Sequence, residues 1–215
     1  MLRIQEVAIT FNEGTPDEKK ALQRINLELK EGEFVTVIGS NGAGKSTLMN
    51  VISGNLVPDV GEVIIGDKDV TTLPEYKRSA YIGRVFQDPM AGTAPSMTIE
   101  ENLAMAYSRI RKRKLKPGVT KQRKKEFREH LNTLNLGLED RLNAKVGLLS
   151  GGERQALSLL MATFTNPNIL LLDEHTAALD PSRAELITKL TKEVVEEHGL
   201  TTLMVTHNMQ QALDL

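Results

Sequence analysis

Phe34-Val35-Thr36-Val37-Ile38-Gly39-Ser40-Asn41-Gly42-Ala43-Gly44-Lys45-Ser46-Thr47-Leu48-Met49-Asn50-Val51-Ile52 reads as a strand, a glycine-rich loop and the start of a helix. The first five residues are apolar and largely β-branched, the pattern of a buried strand. Gly39 to Ser46 keep the spacing Gly-x-x-x-x-Gly-Lys-[Ser/Thr] of a phosphate-binding loop. The glycines let successive backbone N–H groups point into one concavity, and the helix N-terminus adds its partial positive charge. In such a loop Gly39, Ser40, Asn41, Gly42, Ala43, Gly44 and Thr47 line the phosphates. Lys45 reaches the β- and γ-phosphates, and the Ser46 hydroxyl ligates Mg²⁺. A plain glycine-rich turn before a helix is the bland alternative, and the strand–loop–helix context weighs against it.

A matching acidic strand end lies downstream. Ile169 to Leu172 is a short apolar run bounded by Asn166-Pro167-Asn168, as expected of a central parallel strand covered on both faces. Asp173 and Glu174 follow at its carboxyl end, where open α/β sheets bind their ligands. Two adjacent carboxylates there can divide the work, Asp173 holding the metal and Glu174 polarising a water.

Between these segments stands Leu149-Ser150-Gly151-Gly152-Glu153-Arg154-Gln155. Ser150 and Glu153 fit a capping box that starts a helix through Ala156, Leu159 and Leu160. The cap does not explain Gly151 and Gly152, each of which forgoes about 1 kcal/mol of helix propensity. Such glycines are useful if another backbone or an anion must approach closely.

With these residues in place the chain resembles the ATP-binding cassette family over nearly its whole length. Leu149 to Gln155 is similar to the family's signature motif, flanked in the family's order by the two phosphate-site motifs. Gln87, in Val85-Phe86-Gln87-Asp88-Pro89, resembles the Q-loop glutamine, and Ala178-Leu179-Asp180 the D-loop. His207, closing Thr202-Leu203-Met204-Val205-Thr206-His207, resembles the switch histidine, and Phe11 the aromatic that stacks on adenine. Taken alone, Phe11 is equally a core aromatic at a strand end, whereas the place of His207 at a strand's carboxyl end favours a γ-phosphate contact over a structural histidine.

The resemblance implies an α/β fold: a P-loop NTPase core with a mostly parallel sheet, an antiparallel N-terminal β-subdomain and a helical subdomain. It implies one domain, with residues 1–86 and 150–215 forming the core and 87–149 the helical lobe. It also implies binding of ATP and Mg²⁺, the latter through Ser46, Gln87 and Asp173, with Glu174, His207 and Gln87 serving hydrolysis. In a head-to-tail homodimer, or a pairing with a closely related cassette, Ser150, Gly151, Gly152 and Asp180 of one protomer would complete the other's nucleotide site. Transmembrane permease subunits and a separate substrate-binding protein are the expected partners. The chain would then sit in the cytoplasm, peripheral on the inner face of the cell membrane.

The departures from the family pattern are Glu153 for a frequent glutamine, Ala156 for a basic residue, His175 for a proline after Glu174, and Ala177 for a serine. None removes a phosphate or metal contact; they bear on the geometry of dimer communication. His130, His175 and His198 show no metal-ligand spacing and read as surface or packing residues. The stretches Asp173 to Pro181 and Gln87 to Pro95 together resemble one subgroup of bacterial importer ATPases, associated with amino acids such as tryptophan or tyrosine.

Composition sets limits. A chain of 215 residues buries one full core with room for a helical lobe. Its formal net charge of −1 argues against a general polyanion binder, and with no cysteine there is no disulfide or thiol chemistry. Met1 to Glu6 is no signal peptide, and no apolar run approaches the roughly 20 residues of a membrane helix. Transport would therefore require separate membrane subunits.

A second reading is a soluble cassette ATPase that serves a cytosolic assembly scaffold or nucleic acid. Chromosome and repair relatives insert long coiled coils or zinc modules, and this sequence has neither cysteines nor sustained heptads. Nucleic acid is accordingly not an expected partner.

Leu2 to Thr10 and Ile25 to Leu29 alternate like half-exposed strands, joined by a loop over Asn12 to Asp17. Thr98 caps a helix expected over Ile99 to Arg109, and Lys121 to Leu134 reads as a second amphipathic helix. Arg109 to Lys125 is rich in cations without an acid. Such a run fits a solvated, mobile connection; lipid headgroups or nucleic acid are the other readings, and the lack of interleaved aromatics counts against stacked bases. Met209, Ala212 and Leu213 recur at helical spacing, so a terminal amphipathic helix is expected. The sequence stops at Asp214-Leu215 without a capping glycine, from which a longer natural chain is expected.

Overall fold

The computed structural model describes residues 1–110, 117–207 and Ala212. In chain order its elements are β1 (Leu2–Phe11), β2 (Lys19–Leu29), β3 (Phe34–Ile38), α1 (Lys45–Ser53), β4 (Val60–Ile65), β5 (Lys68–Asp69), α2 (Glu75–Arg78), β6 (Ile82–Val85), α3 (Ile99–Tyr107), α4 (Lys121–Asn132), α5 (Gly151–Thr163), β7 (Ile169–Asp173), α6 (Pro181–His198) and β8 (Thr202–Thr206). They divide into two compact units. The first comprises Met1–Ile82, Asn168–Asp173 and the chain from Gly199 on, and the second Gly83–Pro167 and Glu174–His198.

The first unit carries two sheets. β2, β1, β4 and β5 lie side by side in that order, and every pairing among them is antiparallel. β3, β8 and β7 form a parallel sheet in that order. The alternation of β1 places Leu2, Ile4, Val7 and Ile9 in the core, where they meet Met49 and Ile52 of α1, Leu171 of β7 and Leu203 of β8. Each such aliphatic side chain removed from water contributes roughly 1.5–3 kcal/mol. The second strand starts at Lys19, earlier than the expected Ile25, because pairing of Thr10 with Lys20 and Phe11 with Lys19 draws it back.

β7 is buried over Ile169 to Leu172 and β8 throughout, as their apolar runs require. β3, expected to be buried, is only half so, and Ile38 at its end is 48% exposed. It pairs with β8 on one side and stands at the edge of the strand order, which leaves its other flank unpaired among the described residues.

The second unit is built on helices. Thr98 caps α3 in a full capping box, its hydroxyl oxygen accepting from the Glu101 N–H while the Glu101 carboxylate accepts from the Thr98 N–H at 2.7 Å. α3 ends at Tyr107 and α4 at Asn132, each two residues before the limit the periodicity suggested. Tyr107, Phe127 and Phe164 close on one another edge to face, with ring centroids 5.8 to 6.2 Å apart, and tie α3 and α4 to the end of α5.

The flanks of the basic run are not the solvated connection expected of them. Arg109 is half-buried and donates to the Met161 carbonyl of α5, and burial pulls its pKa below the usual guanidinium range. Arg123 lies over the Tyr107 ring at 4.9 Å, and Lys124 pairs with Glu100 at 2.8 Å. Residues 111–116 of that run, and all of the expected terminal helix except Ala212, lie outside the described residues.

Arg78 anchors the far end of α1. Wholly buried, it donates to the carbonyls of Val51 and Ile52 in the last turn of α1, and to those of Leu73 and Thr71. A cation is the favoured partner of unpaired carbonyls at a helix C-terminus. Arg78→Met removes a donor from four carbonyls, of which only that of Val51 keeps another among the described residues, the Gly54 N–H at 3.3 Å, and should lower unfolding stability by roughly 3 kcal/mol. A urea titration checks this, and a loss below about 1 kcal/mol would show the carbonyls to be satisfied in some other way.

Candidate functional site

Parallel pairing puts Ile38 opposite Thr206 and Val205 opposite Asp173. Three chain segments therefore leave the same sheet edge side by side: the loop beginning at Gly39, Asp173 itself, and His207. Residues 40–43 of the loop and Ser46 are exposed, whereas Lys45 is buried. The Lys45 ammonium donates to the loop carbonyls of Gly39 at 2.7 Å and Ser40 at 3.0 Å, bracing the loop from inside.

Gly44 is required by geometry. Its φ is 90°, and a Cβ there would stand 2.5 Å from the Ala21 carbonyl oxygen of β2. This close approach sets the start of α1 against the antiparallel sheet. No side chain caps that start, and its first turn holds no acid. The N–H groups of the turn and the positive end of the helix dipole are thus directed at the loop cavity, as an anion site needs.

Ser46 and Asp173 supply a hydroxyl and a carboxylate at this edge. Among the described residues no three His, Cys, Asp or Glu groups converge as a metal cage. One hydroxyl and one carboxylate fit a Mg²⁺ ion that takes its remaining ligands from phosphate and water. Phe11, at the end of β1, is 36% exposed and so lies outside the core that its strand position allowed.

The other residues singled out in the sequence lie on the second unit. Gln87 is exposed just beyond β6. Ser150 is the N-cap of α5, with both halves of its capping box formed: the Ser150 N–H donates to Glu153 at 2.7 Å, and the Ser150 hydroxyl accepts from the Glu153 N–H at 3.3 Å. Gly151 and Gly152 also serve packing within the chain, since a Cβ on Gly152 would press on the Arg183 side chain at 3.1 Å and one on Gly151 would touch Leu179 at 3.4 Å. Asp180 acts as an N-cap too, accepting from the Arg183 N–H at 3.2 Å while pairing with its guanidinium at 3.3 Å.

Glu174 follows Asp173 directly and has φ 44°, in the left-handed region. A non-glycine residue there carries about 1–2 kcal/mol of strain, which persists only if its neighbours hold it. Ala177 bonds back to the Glu174 carbonyl at 2.9 Å, closing the turn. His175 is wholly buried, and its Nε2 lies 3.1 Å from Thr191 Oγ1. That hydroxyl donates to the Ile187 carbonyl at 2.7 Å, so it accepts from His175, and Nε2 carries the ring proton.

Sequence reasoning treated Gln155 as part of a motif and His175 as a packing residue. In the structure Gln155 is fully buried and donates to two carbonyls, that of Phe86 at 3.0 Å and that of His175 at 2.6 Å. A polar residue on the apolar face of α5 was the signal available for it. Arg154 was also passed over; it donates to the carbonyls of Val146, Gly147 and Leu149 and braces the turn that leads into Ser150.

Burial pushes the His175 pKa down to about 4 from an ordinary 6.5. The unfolded ring thus takes up a proton below about 6.5 and the folded ring only below about 4, so the unfolded chain binds more protons between these values. Stability should be complete above that window and fall as pH drops through it, by up to about 1.4 kcal/mol per pH unit. Urea midpoints measured from pH 7 downward test this, with His175→Gln expected to flatten the profile. An unchanged slope in that variant would assign the effect to other groups.

The family model described as "ABC transporter" matches residues 22–177. The tyrosine transport ATP-binding protein of Clostridioides difficile is 44% identical over 214 residues, 99% of this chain and 84% of that protein. The sulfate/thiosulfate import ATP-binding protein CysA 2 of Agrobacterium fabrum is 34% identical over 215 residues, all of this chain and 58% of its own length. A dimeric structure of the ATP-binding cassette MJ0796, in a post-hydrolysis state with ADP and Pi, superposes with a TM-score of 0.83 at 34% identity, covering 100% of this chain and 91% of that one.

Proposed function

The chain belongs to the ABC transporter family and is its ATP-binding, ATP-hydrolysing subunit; from that premise we propose that it powers a bacterial importer of a small solute, with an aromatic amino acid the best-supported cargo. The observation that carries the site is the in-register strand edge, where the phosphate loop, Asp173 and His207 leave adjacent strands beside an uncapped helix N-terminus. The cargo class rests on the likeness to a tyrosine transport protein and on the sequence around Gln87 and Asp173.

In this reading the loop N–H groups and Lys45 hold the phosphates of ATP, and the exposed Phe11 ring stacks on adenine. Ser46, Asp173 and Gln87 would hold Mg²⁺, which when bound offsets charge on the β- and γ-phosphates. Glu174 accepts a proton from the attacking water as its oxygen bonds to the γ-phosphorus, and the bond to the bridging oxygen breaks to release ADP. His207 steadies the departing γ-phosphate.

The α5 N-terminus, with Ser150, Gly151 and Gly152, meets the nucleotide of a second cassette in a head-to-tail dimer, and Asp180 faces the same junction. ATP is then the ligand that shifts an open pair of cassettes to a closed one, and hydrolysis reverses the shift. Transmembrane permease subunits, which hold the chain at the inner face of the membrane and are served by a substrate-binding protein, receive that motion. No helix among the described residues is long and apolar enough to cross a membrane.

Glu174→Gln should retain ATP binding while turnover falls on the order of 10²- to 10⁴-fold, the cost of losing a positioned base. Steady-state ATPase with size-exclusion chromatography reads both rate and dimer. Near-normal turnover would remove Glu174 from the role of base.

The two halves of the shared site should separate by mutation. Lys45→Ala should weaken nucleotide binding by the monomer, whereas Ser150→Arg should spare it and block closure of the dimer. Equal losses of monomer affinity in both variants would exclude the head-to-tail arrangement.

A further inference from the structure

We infer that Gln155 and His175 are positioning residues that tie the signature helix to the catalytic base. The inference rests on the assignment of Glu174 as base made above. Gln155 lies one turn into α5, behind the glycines of its N-terminus, and its side chain is 0% exposed. Its amide nitrogen donates to the Phe86 carbonyl, immediately before Gln87, and to the His175 carbonyl, immediately after Glu174.

The orientation of the amide is fixed by its partners. Both N–H bonds meet carbonyl oxygens, and a flipped amide would turn its own oxygen against them. One side chain of α5 therefore holds the backbone on the near side of both groups assigned to the γ-phosphate reaction.

His175 is held a second time. Its ring N–H donates to the hydroxyl oxygen of Thr191 on α6, and that hydroxyl donates to the Ile187 carbonyl. With its carbonyl bound to α5 and its ring to α6, His175 has little freedom to turn, and Glu174 before it sits at φ 44°. A strained left-handed residue keeps its conformation only where adjoining atoms are fixed, and His175 supplies that fixation.

A shift or rotation of α5 when its N-terminus engages a nucleotide moves Gln155, and with it the Phe86 and His175 carbonyls. Glu174 is then placed for a water only when α5 is seated.

The test uses Gln155→Met, which nearly preserves volume and removes both donors, and Thr191→Val, which removes only the acceptor for the His175 ring. On the full chain, steady-state ATPase, affinity for a fluorescent ATP analogue and melting temperature are measured together. The tie predicts that kcat falls roughly tenfold to a hundredfold in Gln155→Met, as for a misplaced catalytic group, with nucleotide affinity within about twofold of the parent.

Thr191→Val should move kcat in the same direction by less, and it carries the test if Gln155→Met does not fold. A lowered melting temperature with kcat within about twofold in the folded variant would make the contact structural only and overturn the inference. Parallel losses of nucleotide affinity and kcat would overturn it as well. If Glu174→Gln is itself active, the base assignment fails; if Glu174→Gln is dead while both positioning variants turn over normally, only the tie fails.

Discussion

The in-register pairing of three short parallel strands is the constraint on which the phosphate edge depends. Ile38 lies opposite Thr206, and Val205 opposite Asp173, so a one-residue slip of β7 or β8 would withdraw an acid or a histidine from the loop and turn buried residues outward. Slippage is costly because Ile169 to Leu172 of β7 and Leu203 to Val205 of β8 are apolar on both faces and buried. Their low polarity, which by itself carries no chemistry, fixes where the polar ends emerge. Thr202 adds a lock at the other end, since its N–H donates to the Glu33 carbonyl just before β3 at 2.9 Å.

Two helix N-termini in this chain are prepared in opposite ways. α1 starts at a left-handed glycine with no cap and no acid, which leaves its first-turn N–H groups directed into the loop cavity. α5 starts with a complete capping box, which satisfies donors at its start within the chain. The difference matches their surroundings. The start of α1 is pinned from outside by the approach of Gly44 to Ala21, and its end by Arg78, so it needs no cap to persist. The start of α5 follows a 3₁₀ turn at residues 146–148, and its own cap and Arg154 must define it.

Much of this was legible in the sequence because the relevant patterns are local. The loop spacing, the apolar run ending in Asp173-Glu174, the caps at Thr98 and Ser150 and the alternation of β1 each occupy a few consecutive residues, and each appears in the structure where it was read. The half-burial of β3 was not legible, because its composition matches β7 and only the strand order makes it an edge. α6 was not read either; its start is marked by Asp180 and Pro181, but Asp180 had been assigned to another role by family pattern. The cations flanking residues 111–116 looked solvated because their partners, the Met161 carbonyl, the Tyr107 ring and Glu100, are remote in sequence. Gln155 illustrates the same limit, since its two acceptors are backbone atoms 69 and 20 residues away.

Glu153, in place of the family's frequent glutamine, sets an electrostatic problem at the start of α5, and Arg141 resolves it. A helix N-terminus carries about half a positive charge, so a lone carboxylate in its first turn would more than cancel the attraction it offers an anion. Burial pushes the Glu153 pKa up, but hydrogen bonds from the Ser150 backbone and hydroxyl and from Arg141 outweigh it and hold the carboxyl below its ordinary range, so it is ionised. One of its oxygens is bound to the Ser150 N–H at 2.7 Å and the other to Arg141 at 2.6 Å. The guanidinium restores the charge that the carboxylate removes, and the local sum returns to the positive value of the helix end. The glutamate therefore strengthens the cap of α5 while its N-terminus stays attractive to a phosphate, a combination that neither Glu153 alone nor Arg141 alone would give.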